Sequence, residues 1–353
     1  MNNDAHTIAM AFDLQAAQAD RIGSPLYARL LEGLLADYNA NGVTAELLEG
    51  VSDRPVHDAL PLRYLATAHH LALRGEAGDL AQYYGSCGGV WRGEDLAPIF
   101  LEIVQRERET FTRGLRRNVQ TNEVGRAAVL ASGFALIARR HRPELDVLEI
   151  GSSAGLLSRW DRYFYDTGRS RLGDATSPLQ FDASWWTDRV PQLGSDIDVV
   201  RRRASDVSPI DVSTHDGRLM MLSFVWPDQS ERVERLRAAL EVAQQYPLTV
   251  ESADAGQWLA DQFESGLHPD RATVVFHSIV WQYLSEATRT TLRDALFSAG
   301  GRATADTPLL WMRMEPATAA FADLRLTTWP GGLEEVLAEV GYHGADVRWL
   351  AAD

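Results

Sequence analysis

The segment from Leu145 to Leu157 places the strongest constraint on how this chain folds. It reads LDVLEIGSSAGLL, an apolar run that ends in an acid and continues into small residues spaced Glu149-x-Gly151-x-x-x-Gly155. The pattern predicts a strand, a glycine turn and the first turn of a helix. Small residues let a ligand approach the backbone, and the N–H groups at a helix start are unpaired. The segment therefore predicts a site for a nucleotide-like cofactor.

The same residues also spell Gly151-x-Ser153-x-Gly155, the pattern with which serine hydrolases present their nucleophile. A catalytic triad in the order Ser153, Asp254, His277 is compatible with the sequence. In α/β hydrolases, however, several strands precede this turn and one of their loops contributes the oxyanion hole. Here the turn follows the first predicted strand of the sheet, and Glu149 adds negative charge beside it. Acyl hydrolysis through Ser153 is therefore the less favoured of the two interpretations.

The first 140 residues have the apolar spacing of helices. Helices are predicted after Ser24-Pro25 and over Leu62 to Arg74, Pro98 to Leu115 and Glu123 to Arg140. We expect residues 1–140 to form a helical N-terminal cap on the rest of the chain.

From residue 141 onward, apolar runs alternate with amphipathic helices, which indicates a doubly wound, mostly parallel α/β sheet. Strands are predicted over Asp146 to Ile150, Leu219 to Val225, Leu248 to Glu251, Thr273 to His277 and Leu309 to Met314, and within Leu324 to Trp329 and Asp346 to Leu350. Helices are predicted over Glu231 to Gln244, Ala255 to Phe263, Glu286 to Ala299 and Leu333 to Val340. Residues 158–217 are expected to form an insertion of mixed structure within this 141–353 domain.

Charge and cysteine content narrow the range of partners. The formal net charge of -15 repels phosphate backbones and anionic membranes, so neither nucleic acid nor a membrane is expected as a partner. The basic runs Arg113 to Arg117 and Arg201 to Arg203 are exceptions that favour solvated faces over anion sites. Cys87 is the single cysteine, which excludes an intramolecular disulfide and favours a cytoplasmic location. Oligomeric state is not indicated.

No metal site is expected. His69 and His70 are adjacent and diverge on a helix, and His268, Asp270 and His277 do not have a known ligand spacing.

Several segments resemble, in their order, the motifs of class I S-adenosylmethionine-dependent methyltransferases. The turn resembles the first motif, LMMLSFVWPD the second strand with its terminal acid, LTVESADAG the third strand and TVVFHS the fourth. The resemblance implies S-adenosylmethionine as cofactor and methyl transfer to a small-molecule substrate. It also implies a set of cofactor-binding residues, Glu149, Gly151, Ser153, Gly155, Asp228 and Asp254.

Within this resemblance, Asp228 is placed to accept both ribose hydroxyls and Asp254 to accept from the adenine amino group. Each acid has an alternative role, because Asp228 forms a capping box with Glu231 and Asp254 is a typical N-cap. His277 is expected at the carboxyl end of its strand, where ligands bind in open parallel sheets, as the catalytic base.

Two further groups are predicted to line a substrate pocket. Trp226, Trp281 and Tyr283 lie near predicted strand ends and offer aromatic faces to adenine or to the cationic sulfonium. Asn122, Glu123 and Arg126 begin the helix that leads into the first predicted strand.

Taken together, LEIGSSAGLLSRWDRYFY, LSFVWPDQSERVERLRAAL, FHSIVWQYL, the Met314-Glu315-Pro316 turn and TTWPGG resemble a bacterial domain-of-unknown-function family related to class I methyltransferases. The resemblance covers nearly the whole chain and implies the fold more directly than the reaction. A third hypothesis is therefore a non-catalytic sensor that binds the cofactor without turning it over.

Overall fold

The structure is a computed structural model that describes residues 3–194 and 196–352, with side chains described from residue 8 onward. The chain divides into two compact units. Unit 1 comprises Met1–Thr121 and His215–Glu234, and unit 2 comprises Asn122–Thr214 and Arg235–Asp353. Within the described ranges no helix is both long and apolar enough to cross a membrane.

All regular secondary structure in the described part of unit 1 is helical. Its α-helices are α1 (Asn3–Arg21), α2 (Pro25–Asn39), α3 (Val43–Leu48), α4 (Leu60–Leu73), α5 (Gly78–Ala81), α6 (Ala97–Arg106), α7 (Arg108–Gly114) and α9 (His215–Ser223), with a 3₁₀ turn at Gly85–Cys87. Aromatic side chains fill the core: Tyr64 contacts Phe100 and Phe111 edge-on, with ring centroids 4.9 and 5.5 Å apart. The helices predicted before residue 116 are confirmed, with Pro98 to Leu115 divided into α6 and α7.

The strand predicted over Leu219 to Val225 is wrong, because this segment contains most of α9. Short apolar runs do not distinguish a buried strand from a helix. In the structure Leu219 and Met220 are half-buried, and the residues from Met221 to Val225 are all buried.

Unit 2 contains an eight-stranded, mostly parallel sheet. Its strands are β1 (Glu144–Ile150), β5 (Asp198–Asp206), β6 (Val250–Ser252), β7 (Ala272–Ser278), β8 (Leu309–Pro316), β9 (Phe321–Trp329), β10 (Leu333–Gly341) and β11 (Arg348–Trp349), in the spatial order β11-β10-β9-β8-β7-β1-β5-β6. The strands from β6 to β8 are parallel, and β9, β10 and β11 continue the sheet antiparallel. A second sheet consists of β2 (Phe164–Asp166), β3 (Arg171–Leu172) and β4 (Gln180–Phe181).

Helices pack on both faces of the large sheet. They are α8 (Ala127–Arg140), α11 (Ala255–Gln262) and α12 (Glu286–Gly300), while α10 (Ser230–Gln245) crosses the boundary between the units in the sequence. Val275 belongs to a core cluster with Leu259 of α11 and Leu292 of α12. The next residue, Phe276, contacts Phe134 of α8 edge-on, with ring centroids 5.3 Å apart. Because consecutive strand residues point to opposite faces, α8 covers the face opposite α11 and α12.

The second strand of the sheet, β5, comes from the segment expected to be an insertion. Its sequence DVVRRRASD carries three consecutive arginines, which conceals the strand from a hydrophobicity pattern. Each arginine is neutralised on a neighbouring segment. Arg201 lies 3.0 Å from Asp146, Arg203 lies 2.7 Å from Glu251, and Arg202 pairs with Asp161.

The helix predicted over Leu333 to Val340 is also wrong, because this segment is strand β10. Its apolar residues have helical spacing, but the chain reverses at Gly331 and Gly332, both with positive φ, and returns beside β9. Pairing along the length of β9 outweighs the local helical preference.

The order of the strands defines a reversal point in the sheet. From β1 the chain moves outward through β5 to β6, and then crosses to β7 on the other side of β1 and continues to β8. In open α/β sheets, ligands bind where the strand order reverses, at the carboxyl ends of the strands. The carboxyl ends of β1 and β7 therefore mark the place in unit 2 to search for a site.

Candidate functional site

Neighbouring strands carry polar side chains at this carboxyl edge. Ile150 at the end of β1 pairs with Ser205 on β5, and Glu149 pairs with Phe276, the residue before His277 on β7. His277 in turn pairs with Arg313 on β8. The ends of β5, β1, β7 and β8 thus form one continuous edge.

The turn after β1 has a left-handed backbone at three positions. Gly151, Ser153 and Gly155 have φ values of 63°, 55° and 66°. Glycine adopts this conformation freely, whereas at Ser153 it costs roughly 1–3 kcal/mol. The turn continues into a six-residue 3₁₀ helix, Leu157–Arg162, instead of the predicted α-helix.

Most backbone donors of the turn are bound by acceptors of the protein. Ser153 N donates to Asp206 Oδ2 at 2.8 Å, and Leu156 N donates to Asn122 Oδ1 at 3.0 Å. Ser152 N and Gly155 N donate to the carbonyl oxygens of Ser205 and Ser152. The turn is therefore stabilised by its own protein partners, and these N–H groups do not point at an open cradle.

Val280, in the loop after β7, packs directly on Gly151. A Cβ atom added at Gly151 would lie 2.5 Å from Val280 Cγ1, a distance that real side chains do not adopt. Glycine is thus required here both by its positive φ and by the approach of the valine.

Glu149 is buried beneath the turn. Its carboxyl accepts a hydrogen bond from Ser158 Oγ, and only 1% of the residue is exposed. Burial raises the pKa of Glu149 to about 8, and the nearby Asp206 carboxylate acts in the same direction against the Ser158 hydrogen bond and Arg159. Glu149 is therefore largely protonated at neutral pH.

Asp206, at the end of β5, is a site residue that the sequence reasoning missed. Its Oδ2 accepts from Ser153 N and its Oδ1 from Ser208 N, each at 2.8 Å, and the residue is half-buried. An ionised carboxylate has about four acceptor positions, so two further donors can be accommodated. The signal in the sequence was the acid that closes DVVRRRASD, which the arginines obscured.

His277 and Glu315 form a buried pair at the ends of β7 and β8. His277 Nδ1 lies 2.6 Å from Glu315 Oε1, which also accepts from Val280 N at 3.0 Å and from Trp281 N at 3.2 Å. In the described part of the chain, His277 Nε2 and Glu315 Oε2 are buried without a hydrogen-bond partner.

The electrostatics favour an ionised Glu315. Burial alone would raise its pKa, but the hydrogen bond and charge of His277 and the two backbone amides lower it overall. A carboxylate at Nδ1 holds the proton on that nitrogen, which leaves Nε2 of a neutral His277 as an acceptor. This is the arrangement of a general base with an orienting carboxylate.

The loop that follows β7 is strained where it passes the pair. Ile279 has a φ of 54°, which is a genuine outlier for a β-branched residue. Trp281 stacks on His277 with ring centroids 5.8 Å apart and an interplanar angle of 18°. Trp281 is half-buried, whereas Tyr283 is 61% exposed.

The segment before α8 contacts both loops of the reversal point. Asn122 binds the turn after β1, as described above. The Arg126 guanidinium donates to Ser278 O at 3.2 Å and to Tyr342 O at 3.0 Å. Glu123 Oε1 accepts from Gly125 N at 3.2 Å within the same segment. The structure thus brings Asn122 and Arg126 together with the turn and with the loop after His277.

Asp254 caps a helix. Its Oδ1 accepts from Gly256 N and Gln257 N at the start of α11, and its Oδ2 accepts from Thr288 Oγ1 at 2.6 Å. The carboxylate partner of His277 is Glu315, so Asp254 does not complete the triad that the sequence order allowed.

Asp228 and Trp226 belong to unit 1. The assignment of Asp228 to the end of the second strand is wrong, because α9 precedes it and β5 is the second strand. Asp228 accepts from Ser24 Oγ at 2.5 Å and from Leu26 N at 3.2 Å, at the start of α2. Trp226 packs on Tyr27 with ring centroids 6.0 Å apart.

The family described as "Uncharacterized protein conserved in bacteria (DUF2332)" matches residues 9–349. The chain therefore belongs to this family, and the predicted membership of a bacterial family of unknown function is confirmed. No curated protein and no solved structure matches the chain.

Proposed function

We propose that this family member binds S-adenosylmethionine at the carboxyl edge of β5, β1 and β7 and transfers its methyl group to a small-molecule acceptor. The observation that carries the proposal is the position of Asp206, an acid at the end of the strand beside β1, in direct contact with the glycine turn. Further support comes from the reversal of strand order at this edge.

The donor set at the edge suits an adenosyl group. The two acceptor positions left on Asp206 match the two adjacent hydroxyls of a ribose. Ser205 Oγ, on the same strand end, is buried without a hydrogen-bond partner in the described part of the chain. Because most backbone amides of the turn already donate hydrogen bonds within the protein, side chains would bind the cofactor.

Val280 limits access to the turn. Its side chain occupies the space above Gly151, and the adjoining Ile279 is strained. We infer that the loop from Ile279 to Tyr283 moves when the cofactor binds, which releases the backbone strain at Ile279.

When bound, the cofactor supplies an electrophilic methyl group on a sulfonium. His277 Nε2 accepts the proton from the O–H or N–H of the acceptor. Glu315 holds the opposite nitrogen in its protonated form and stabilises the positive charge that His277 gains.

Isothermal titration calorimetry with S-adenosylhomocysteine tests the proposal. The wild type is expected to bind, and Asp206→Asn to bind about tenfold or more weakly, because charge-assisted hydrogen bonds to the ribose are lost. Asp211→Asn is the matched control. Asp211 is an exposed acid in the loop after β5, and its side chain accepts a hydrogen bond from Ser213 N in a local turn. No heat with the wild type, or equal weakening in both variants, contradicts the proposal.

A second candidate, acyl hydrolysis through Ser153, is favoured by two observations. Ser153 has the positive φ of a strained nucleophile turn, and the His277–Glu315 pair is a base with its orienting carboxylate. A fluorophosphonate probe distinguishes the two functions, with Ser152→Ala as the control for Ser153→Ala. Labelling that disappears only in Ser153→Ala establishes hydrolysis, and we expect no labelling.

A further inference from the structure

Unit 1 contains a cavity with a volume of about 190 Å³, lined by α4, α7, α9 and the residues that follow each of these helices. Its charged lining consists of Arg63, Arg74, Arg113 and Arg117 against Glu76 and Asp216. Arg74 pairs with both carboxylates, Glu76 at 2.8 Å and Asp216 at 3.2 Å, and Arg113 lies 4.0 Å from the exposed Glu109. The excess of positive charge therefore comes from Arg63 and Arg117, in a chain whose net charge is -15. This local reversal of sign is specific to the cavity and not a property of the whole chain.

His70, the histidine in the cavity wall, does not change this balance of charge. Burial lowers the pKa of His70, and the positive charges of Arg74 and Arg117 lower it further against the opposing effect of Asp216. His70 Nε2 lies 3.2 Å from Asp216 Oδ1, a contact that is an ion pair only when the imidazole is protonated.

The arginines have unused hydrogen-bonding capacity. Arg63 Nε is buried without a partner in the described residues, although its terminal nitrogens reach Leu115 O at 3.2 Å and Asn118 Oδ1 at 3.4 Å. Arg117 Nη1 donates to Met220 Sδ at 3.5 Å, and a thioether sulfur is a weak acceptor. A guanidinium offers five N–H donors, so the cavity wall holds more donors than acceptors.

Close helix packing builds the cavity. A Cβ atom added at Gly114 would lie 2.1 Å from Thr67 Oγ1, so the end of α7 lies directly on α4. This approach brings Arg113, directly before Gly114, and Arg117, three residues after it, to the same cavity as Arg63.

We propose that this cavity binds a small oxyanion, the phosphate or carboxylate group of a small metabolite. The volume of about 190 Å³ accommodates an anionic group with few additional atoms. It is below the ~300–1,000 Å³ of pockets that bind drug-sized ligands, so the proposal is confined to small anions. Arginine forks match the planar geometry of carboxylates and the tetrahedral geometry of phosphates. The proposal stands independently of the function assigned to unit 2.

Calorimetry on the full-length chain tests this site, with inorganic phosphate and succinate titrated separately at constant ionic strength. Arg117→Gln and Arg113→Gln alter exposed arginines at the cavity and are expected to keep the fold. Each is expected to weaken binding about tenfold. Arg116→Gln is the matched control, because Arg116 is an exposed neighbour that does not line the cavity.

The two titrants identify the source of the oxyanion: preference for phosphate indicates a phosphorylated ligand, and preference for succinate a carboxylated one. Equal binding of both also supports an oxyanion site. Absence of heat with both titrants overturns the proposal. Equal weakening by Arg116→Gln and Arg117→Gln also overturns it, because the attraction would then be a general effect of surface charge.

Discussion

Glu149 makes the stability of the fold depend on pH in a direction opposite to that of an ordinary carboxylate. Burial raises its pKa from 4.5 to about 8. The folded state therefore binds more protons than the unfolded state between these two values. The stability that the buried Glu149 carboxyl contributes is fully present below pH 4.5 and is lost as the pH rises through 8.

The size of the effect follows from the shift. A displacement of roughly 3.5 pKa units at 1.36 kcal/mol per unit corresponds to about 5 kcal/mol between a pH well below 4.5 and a pH well above 8. Glu149→Gln replaces the carboxyl by a neutral group of the same shape, so the variant is expected to lack this pH dependence. Relative to the wild type, Glu149→Gln should gain about 3–4 kcal/mol as the pH is raised from about 5 to about 8.

Denaturant unfolding followed by circular dichroism measures this difference across the pH range. The difference between variant and wild type isolates Glu149 from other titrating groups. Glu144→Gln is the matched control, because Glu144 begins the same strand but is exposed. If the unfolding free energies of the wild type and Glu149→Gln stay parallel with pH, then Glu149 is ionised in the folded protein and the reasoning is refuted.

Three further predictions concern Glu315 at the end of β8, Val280 in the loop after β7 and Asp254 at the start of α11. Glu315→Gln should reduce turnover by roughly 100-fold or more while leaving S-adenosylhomocysteine affinity within a few fold, because the orienting carboxylate of His277 is lost; a rate equal to wild type contradicts the role. Val280→Ala should tighten S-adenosylhomocysteine binding by roughly fivefold, since displacing a packed valine costs on the order of 1 kcal/mol; weaker binding in calorimetry argues against loop movement. Asp254→Ala should lower the free energy of unfolding by about 1 kcal/mol without changing cofactor affinity, and a large loss of affinity would restore its assignment to adenine.

Local patterns predicted those elements whose own apolar periodicity and end residues match the structure that they adopt. The apolar run of β1 and its glycine turn, strand β7 and helices α11 and α12 follow directly from their periodicity and caps. Strand β5 escaped prediction because its arginines depend on acids up to 55 residues away for their neutralisation, such as Asp146 for Arg201. Strand β10 has helical spacing and is determined by pairing with β9.

The candidate site was predictable only in part. His277 stood out because it ends an apolar strand, but its partner Glu315 lies 38 residues later, on the neighbouring strand. Asp206 lies in a segment whose arginines conceal the strand, whereas Asp228 follows an apolar run and therefore has the pattern expected of an acid at a strand end. The residues of the edge are joined by the register of parallel strands, which is a tertiary property.

The most direct test of the central claim is photo-crosslinking of radiolabelled S-adenosylmethionine to the wild-type chain, followed by peptide mapping. We expect label on peptides that contain the turn from Gly151 to Gly155, the strand end at Asp206 or the loop from Ile279 to Tyr283. Absence of label, or label confined to peptides of unit 1, would contradict it.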